Sequence, residues 1–167
     1  MENYRKQLDA LCQSMMAYDA GDAARIQHFI KVHSFAGLIG RMEGLPQEQL
    51  VILEAAAYVH DIGIKPSEAR YGDCSGTHQE ELGPAPAREM LGQCGFTQQQ
   101  TERVAYLVGH HHTYTDIDGA DYQILVEADF LVNLHEGNSS ADAVRHAYET
   151  IFRTESGRDL CRKMFGL

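Results

Sequence analysis

A chain of 167 residues with 44% hydrophobic and 23% charged side chains is long enough to enclose one core, and a net charge of −10 repels a polyanion at long range, which excludes a general nucleic-acid binder. Its four cysteines, Cys12, Cys74, Cys94 and Cys161, are scattered without a CxxC pair, excluding both a zinc knuckle and a disulfide framework. No apolar run reaches ~18 residues and charges interrupt the N-terminal segment, so neither a membrane span nor a signal peptide is expected, and a cytoplasmic location is.

Apolar residues recur near every 3.6 positions and strand-like alternation is nearly absent, which predicts an all-α helical bundle, one domain over 1–167. Helices are expected over 2–18 and, after Gly21, over 22–42; the Gly44-Leu45-Pro46 breaker then precedes a helix over 47–61. The stretch GIKPSEARYGDCSGT, 63–77, reads as a long irregular loop, of a length that is usually functional or mobile. Further helices follow over 79–93, 97–111, 122–136 and from 141 to the end, with Ser139-Ser140 as a cap and a break near Gly157.

The third of these helices closes on LEAAAYVHDIGIK, which sets His60 and Asp61 against an apolar wall. An unpaired buried carboxylate costs several kcal/mol, so Asp61 needs a cation, strong donors or solvent. Gly63 lets the chain turn there, so that both side chains reach one point. On the second helix His28 shares a face with Val32, Phe35 and Ile39, while His33 lies about 140° away with Ile26, Ile30 and Gly37; helix geometry does not choose between them. Three histidines, His110, His111 and His112, follow in LVGHHHTYTDIDG at a helix C-terminus, where protonated imidazole also suits the macrodipole. A second acid, Asp129, lies on an apolar stripe with Leu125, Ala128 and Val132. Two inward acids and several inward histidines are explained together by a divalent metal, a transition metal such as iron or manganese foremost, with cobalt, nickel and zinc, and also magnesium, as further candidates.

This ordered set resembles the HD superfamily of metal-dependent phosphohydrolases over about 22–133. Arg25, His28, Val32 and Ala36 are similar to the family's opening helix, and this match selects His28 over His33. His60 and Asp61 supply the doublet, and ILVEADFLVN supplies the closing Asp129. His78, at the start of HQEELGPAPAREML, and His110 and His111 match the further ligand positions of dinuclear members. The resemblance implies two ions bridged by Asp61, one held by His28, His60 and Asp129, the other by His78, His110 and His111, with His112 the weakest of the triplet. Ile64 stands where the family often has a lysine, with Lys65 one position later, and YTDIDGADY lacks the proline of the cyclic-di-GMP phosphodiesterases. Ligand order also resembles the dinucleoside tetraphosphate hydrolases, without a surrounding pattern that names one substrate.

The expected function is hydrolysis of a phosphate ester or pyrophosphate bond in a small anionic substrate, a nucleotide foremost, through a metal-bound hydroxide. Asp61, His60, Arg25 and Lys65 are the catalytic candidates; Arg25 either contacts phosphate or pairs with Asp22, and Lys65 and Arg70 sit on the long loop. Two alternatives are a mixed-valent di-iron oxygenase of the same fold and a non-catalytic metal-binding helical module. No nucleic-acid polymer or membrane partner is expected. Glu80, Glu81 and Glu127 are candidates to orient ligands through hydrogen bonds, Tyr114 and Tyr122 to line a pocket or pack, and His135 and His146 to lie at the surface.

Overall fold

Residues 2–167 are described in the computed structural model, with side chains from Tyr4 onward, and these residues form ten helices and no strand. The centre is built by α2 (Ala23–Met42), α3 (Gln47–Val59) and α8 (Ala120–Glu136), which pack pairwise on one another. Helix α3 is apolar almost all round, with nine of its thirteen residues buried, and such a helix can only sit inside. Gly40 of α2 lets the two backbones approach, since a Cβ there would meet Leu50 Cδ1 at 2.9 Å and Leu53 Cδ2 at 3.0 Å. Around this centre α1 (Glu2–Tyr18) and α7 (Gln98–Val108) lie on α3, and α6 (Pro84–Gln93) packs on α7. The strongly amphipathic α9 (Ala141–Thr150) and α10 (Glu155–Phe165) close the α8 side.

Side-chain caps set several helix starts. Asp22 accepts from the Arg25 amide at 3.0 Å, Ser140 accepts from the Ala143 amide, and Thr97 and Gln100 form a reciprocal capping box. No helix among the described residues is long and apolar enough to cross a membrane.

The segment 63–77 departs from expectation, because α4 (Ile64–Tyr71) and the start of α5 (Gly76–Leu82) occupy most of it. Pro66 lies in the first turn of α4, where its missing N–H costs nothing, and Gly72 ends the helix at φ 74°. The helix expected over 79–93 is broken at Gly83-Pro84; a Cβ at Gly83 would come 2.7 Å from Val108 Cγ1 and 2.8 Å from the Gln79 carbonyl. The C-terminal break falls at 151–154 rather than near Gly157, which lies in the first turn of α10.

On the α1 side of α2, His33 stacks on Tyr58 with ring centroids 3.9 Å apart. Burial, reinforced by the Arg41 guanidinium, pushes its pKa down to about 4. The folded protein therefore holds His33 neutral, while the unfolded chain takes up a proton below the ordinary value of 6.5. Stability from this group is constant above pH 6.5 and falls as pH drops from 6.5 toward 4. His33→Phe is expected to reduce that loss by on the order of 1–3 kcal/mol, read from denaturant unfolding across this range.

Candidate metal centre

The turn that follows α3 delivers His60 and Asp61 to the seam between α2 and α8. His60 is fully buried and donates Nδ1–H to the Ala57 carbonyl at 2.9 Å. His28 of α2 donates Nδ1–H to Glu136 Oε2 at 2.8 Å, and His111, just past α7, donates to the Val108 carbonyl at 2.9 Å. Carbonyl and carboxylate oxygens only accept, so each contact places a proton on Nδ1 and turns Nε2 inward, where the neutral ring presents a lone pair. Those Nε2 atoms converge on Asp61. Its Oδ2 lies 3.5 Å from His28 Nε2 and 3.4 Å from His60 Nε2, while its Oδ1 lies 3.4 Å from His111 Nε2. Asp129 of α8 adds Oδ1 at 3.1 Å from His28 Nε2 and 3.5 Å from His60 Nε2, and is held by Asn133 Nδ2 at 2.8 Å.

The donor set calls for positive charge. His28 Nε2 and His60 Nε2 are only 3.2 Å apart, so two ring nitrogens and two carboxylates crowd one point. On the other side of Asp61, the Nε2 atoms of His111 and His112 are buried without a hydrogen-bond partner. Such orphaned acceptors cost free energy unless a ligand or ion meets them. Burial opposes charging of His28 and His60, but Asp129 and Asp61 outweigh it and raise both rings, His60 well above its usual range. Burial equally opposes ionisation of the two acids, yet His60 holds Asp61, and His28 and His60 hold Asp129, well below the ordinary carboxylate range. His112 differs. Burial, and next the neighbouring His111, push it down to about 4, so it is an uncharged ring at neutral pH. Among the described residues two groups have ligand atoms within 4.8 Å of one another: His28, His60 and Asp61; and Asp61, His111 and His112. Imidazole and carboxylate in these groups fit divalent transition metal.

The sequence model of the HD domain family matches residues 25–149, three quarters of the chain and every member of both groups. The chain belongs to the HD domain family. No curated protein matches it. The crystal structure of a predicted HD superfamily hydrolase from an uncultured Thermotogales bacterium is similar, with a TM-score of 0.65 and 26% identity over 97% of this chain and 84% of that one.

Within this HD domain the other expected site residues lie elsewhere. His110 and His111 were the expected pair of the triplet, but the structure brings His111 and His112 to Asp61. Helix α7 ends at Val108, and the turn that follows, closed by the Thr113 amide on the His110 carbonyl, points His110 outward. Its Nδ1 donates to the Tyr106 carbonyl at 2.7 Å and its ring stacks on Tyr106. His78 is outside both groups too: it pairs through Nδ1 with Asp73 Oδ1 at 2.7 Å and stacks on Tyr71. Gly76, two residues earlier, takes the place against the triplet, where a Cβ would lie 2.8 Å from His112 Cβ. Arg25 ion-pairs with Asp22 Oδ2 at 3.3 Å and Glu68 Oε1 at 2.5 Å, tying α2 to α4. The Lys65 ammonium is committed to the Tyr18 carbonyl and to Asp19 Oδ1 at 3.7 Å. Arg70 reaches Glu81 at 3.7 Å.

Of the candidate orienting acids, Glu80 accepts from the His112 amide at 2.9 Å and from Thr113 Oγ1 at 3.1 Å, and so fixes the triplet's end. Glu81 accepts from the Tyr71 hydroxyl, and Glu127 faces α10 rather than the histidines. The Tyr122 hydroxyl donates to the carbonyls of His110 and Thr113, stapling the same turn, and Tyr114 packs edge-on against Phe130. His135 and His146 are exposed. Glu136 and the supporting role of Asn133 escaped the sequence reading. The signal was present: 129, 133 and 136 follow helical steps of four and seven along one face of α8.

Proposed function

We propose that this HD protein is a metal-dependent hydrolase cleaving a phosphate ester or pyrophosphate bond of a small anionic substrate, a nucleotide foremost. The observation that carries this reading is Asp61, whose two oxygens face separate imidazole groups. A similar crystal structure belonging to a predicted hydrolase supports it. Asp61 Oδ2, His28, His60 and Asp129 would hold one ion, and Asp61 Oδ1, His111 and His112 a second, iron or manganese foremost. The chemistry such a pair supplies when bound is activation of water and neutralisation of phosphoryl oxygens.

The protein's own share is orientation. Glu136 and the carbonyls of Ala57 and Val108 lock three imidazoles in one tautomer, Asn133 fixes Asp129, and Glu80 fixes the backbone of His112. Because Arg25 and Lys65 already pair with protein groups, they serve to hold α4 against α1 and α2 in this arrangement. Substrate charge then falls to the metal groups. Four unpaired cysteines suit a reducing compartment, and we place the protein in the cytoplasm.

A screen of nucleotides, dinucleoside polyphosphates and small phosphate esters, run anaerobically with manganese or iron, is expected to release phosphate from at least one class. Oxygen consumption by iron-loaded protein without phosphate release would instead favour the oxygenase, and neither activity would favour a non-catalytic metal-binding module. The two groups also predict a difference within the triplet. His112→Ala is expected to lose about one bound ion per chain, whereas His110→Ala keeps the wild-type content by elemental analysis.

A further inference from the structure

A cavity of about 550 Å³ opens between α1, α2 and α3 and contains none of the metal-centre residues. Its floor lies round the helices from that centre: His33 is about 140° from His28 on α2, and Glu54 and Tyr58 share a stripe of α3 that points away from His60. The volume is that of a small-molecule site.

The Glu54 carboxylate is 14% exposed and sits inside this cavity. Gly37 makes room for it, since a Cβ there would lie 2.7 Å from Glu54 Oε1. Among the described residues the carboxylate accepts one hydrogen bond, a long one of 3.4 Å from Arg41 Nη1, and the His33 Nε2 atom stays 3.8 Å away. His33 makes no hydrogen bond with its ring nitrogens among the described residues. A largely buried acid and an imidazole edge thus lie side by side with few protein partners, facing the space of the cavity. Arg5, Arg41 and Asp9, all exposed, line the cavity as well, and Leu8 and Leu50 provide apolar wall. Two cations and two anions leave the lining without net charge, which disfavours a polyanion or polycation and matches a ligand whose own charges cancel.

We propose that this cavity is a second ligand site, separate from the metal centre, for a small zwitterion of the amino-acid kind, with its ammonium on Glu54, its carboxylate on Arg5 and Arg41, and its apolar body against Leu8 and Leu50. Among the described residues Arg41, 55% exposed, is held only by the long contact to Glu54, so it can exchange Glu54 for the incoming carboxylate. The site does not depend on the reaction proposed for the metal centre.

The test is a titration of the ¹⁵N-labelled full chain with L-leucine and L-phenylalanine, followed by amide chemical shifts, with N-acetyl-L-leucine and L-leucinamide as probes lacking one charge each. Saturable shifts are expected around Glu54, Arg41 and the first turns of α1. Each singly charged probe, and the Glu54→Gln variant, should bind about tenfold or more weakly. Arg5→Ala, at an exposed position, gives the same readout should Glu54→Gln fold poorly. Absence of shifts with both amino acids up to their solubility limits overturns the proposal, as do shifts of undiminished affinity in the folded variant or with the singly charged probes.

Discussion

Asp61→Asn is expected to lower kcat for the proposed phosphate release by roughly 10²–10³-fold or more while leaving the helical content intact. Each Asp61 oxygen faces a different group of imidazole nitrogens. The asparagine amide keeps the shape but turns one oxygen into an NH2 donor. That donor would hydrogen-bond an Nε2 lone pair directly, either at His111 or at His28 and His60, and so occupy the electron pair that a cation needs. The substitution also removes one negative charge from a cluster whose affinity for cations rests on two. Because Asp61 retains 23% exposure at the mouth of the cluster, an amide there is not buried without solvent, and the fold should tolerate it. Steady-state kinetics on the best substrate of the screen, with circular dichroism as the fold control, decides the matter. Wild-type turnover in this variant would remove Asp61 from the reaction.

A stability loss of comparable rank is expected far from that cluster, at Glu127. Its carboxylate is fully buried and accepts from Gln123 Nε2 at 2.8 Å, the Arg153 amide at 2.6 Å, the Thr154 amide at 2.8 Å and Thr154 Oγ1 at 2.5 Å. It is the peg on which the turn between α9 and α10 hangs. Gly157 completes the fit, because a Cβ there would lie 1.9 Å from Glu127 Oε2. Glu127→Ala leaves two backbone amides and a hydroxyl unsatisfied around a new void, at a cost of about 3–5 kcal/mol. Calorimetry should show Tm lower by roughly 10 °C. Metal content below the transition should not change, since Glu127 and Asp129 point to opposite sides of α8. An unaltered Tm would mean that these hydrogen bonds are replaced by water at no cost.

The legibility of this chain follows from which physical signals are local. Helix α3 could be read because its apolar residues have no polar face to hide them, and His60-Asp61 stood out against that background. Periodicity left His28 and His33 equivalent; the resemblance of Arg25, His28, Val32 and Ala36 to the HD family's opening helix singled out His28, which the structure sets beside His60 and Asp61, with His33 on Tyr58. The expected pair of the triplet differs by one residue from the pair that faces Asp61, because that facing depends on where α7 stops, and one residue of helix rotates a side chain by about 100°. Helix α4 was hidden by Gly63, Pro66 and Gly72, which mark its start and end rather than a loop. Its formation depends on packing that composition does not reveal, including buried Ser67, whose hydroxyl donates to the Gly63 carbonyl at 2.7 Å. Glu136 carries no sequence signal beyond its place on the Asp129 face at the end of α8, where it pairs with Lys31; only the fold shows His28 arriving from 108 residues earlier to donate to its other oxygen.

Anomalous diffraction at the manganese edge, from crystals of the wild-type protein grown with manganese, would test most directly the idea that Asp61 joins two ion sites. Two peaks are predicted, one among His28, His60 and Asp129 and the other against His111 and His112, with an oxygen of Asp61 toward each. A map with no peak beside Asp61, or with manganese held only by His78 and His110, would contradict it.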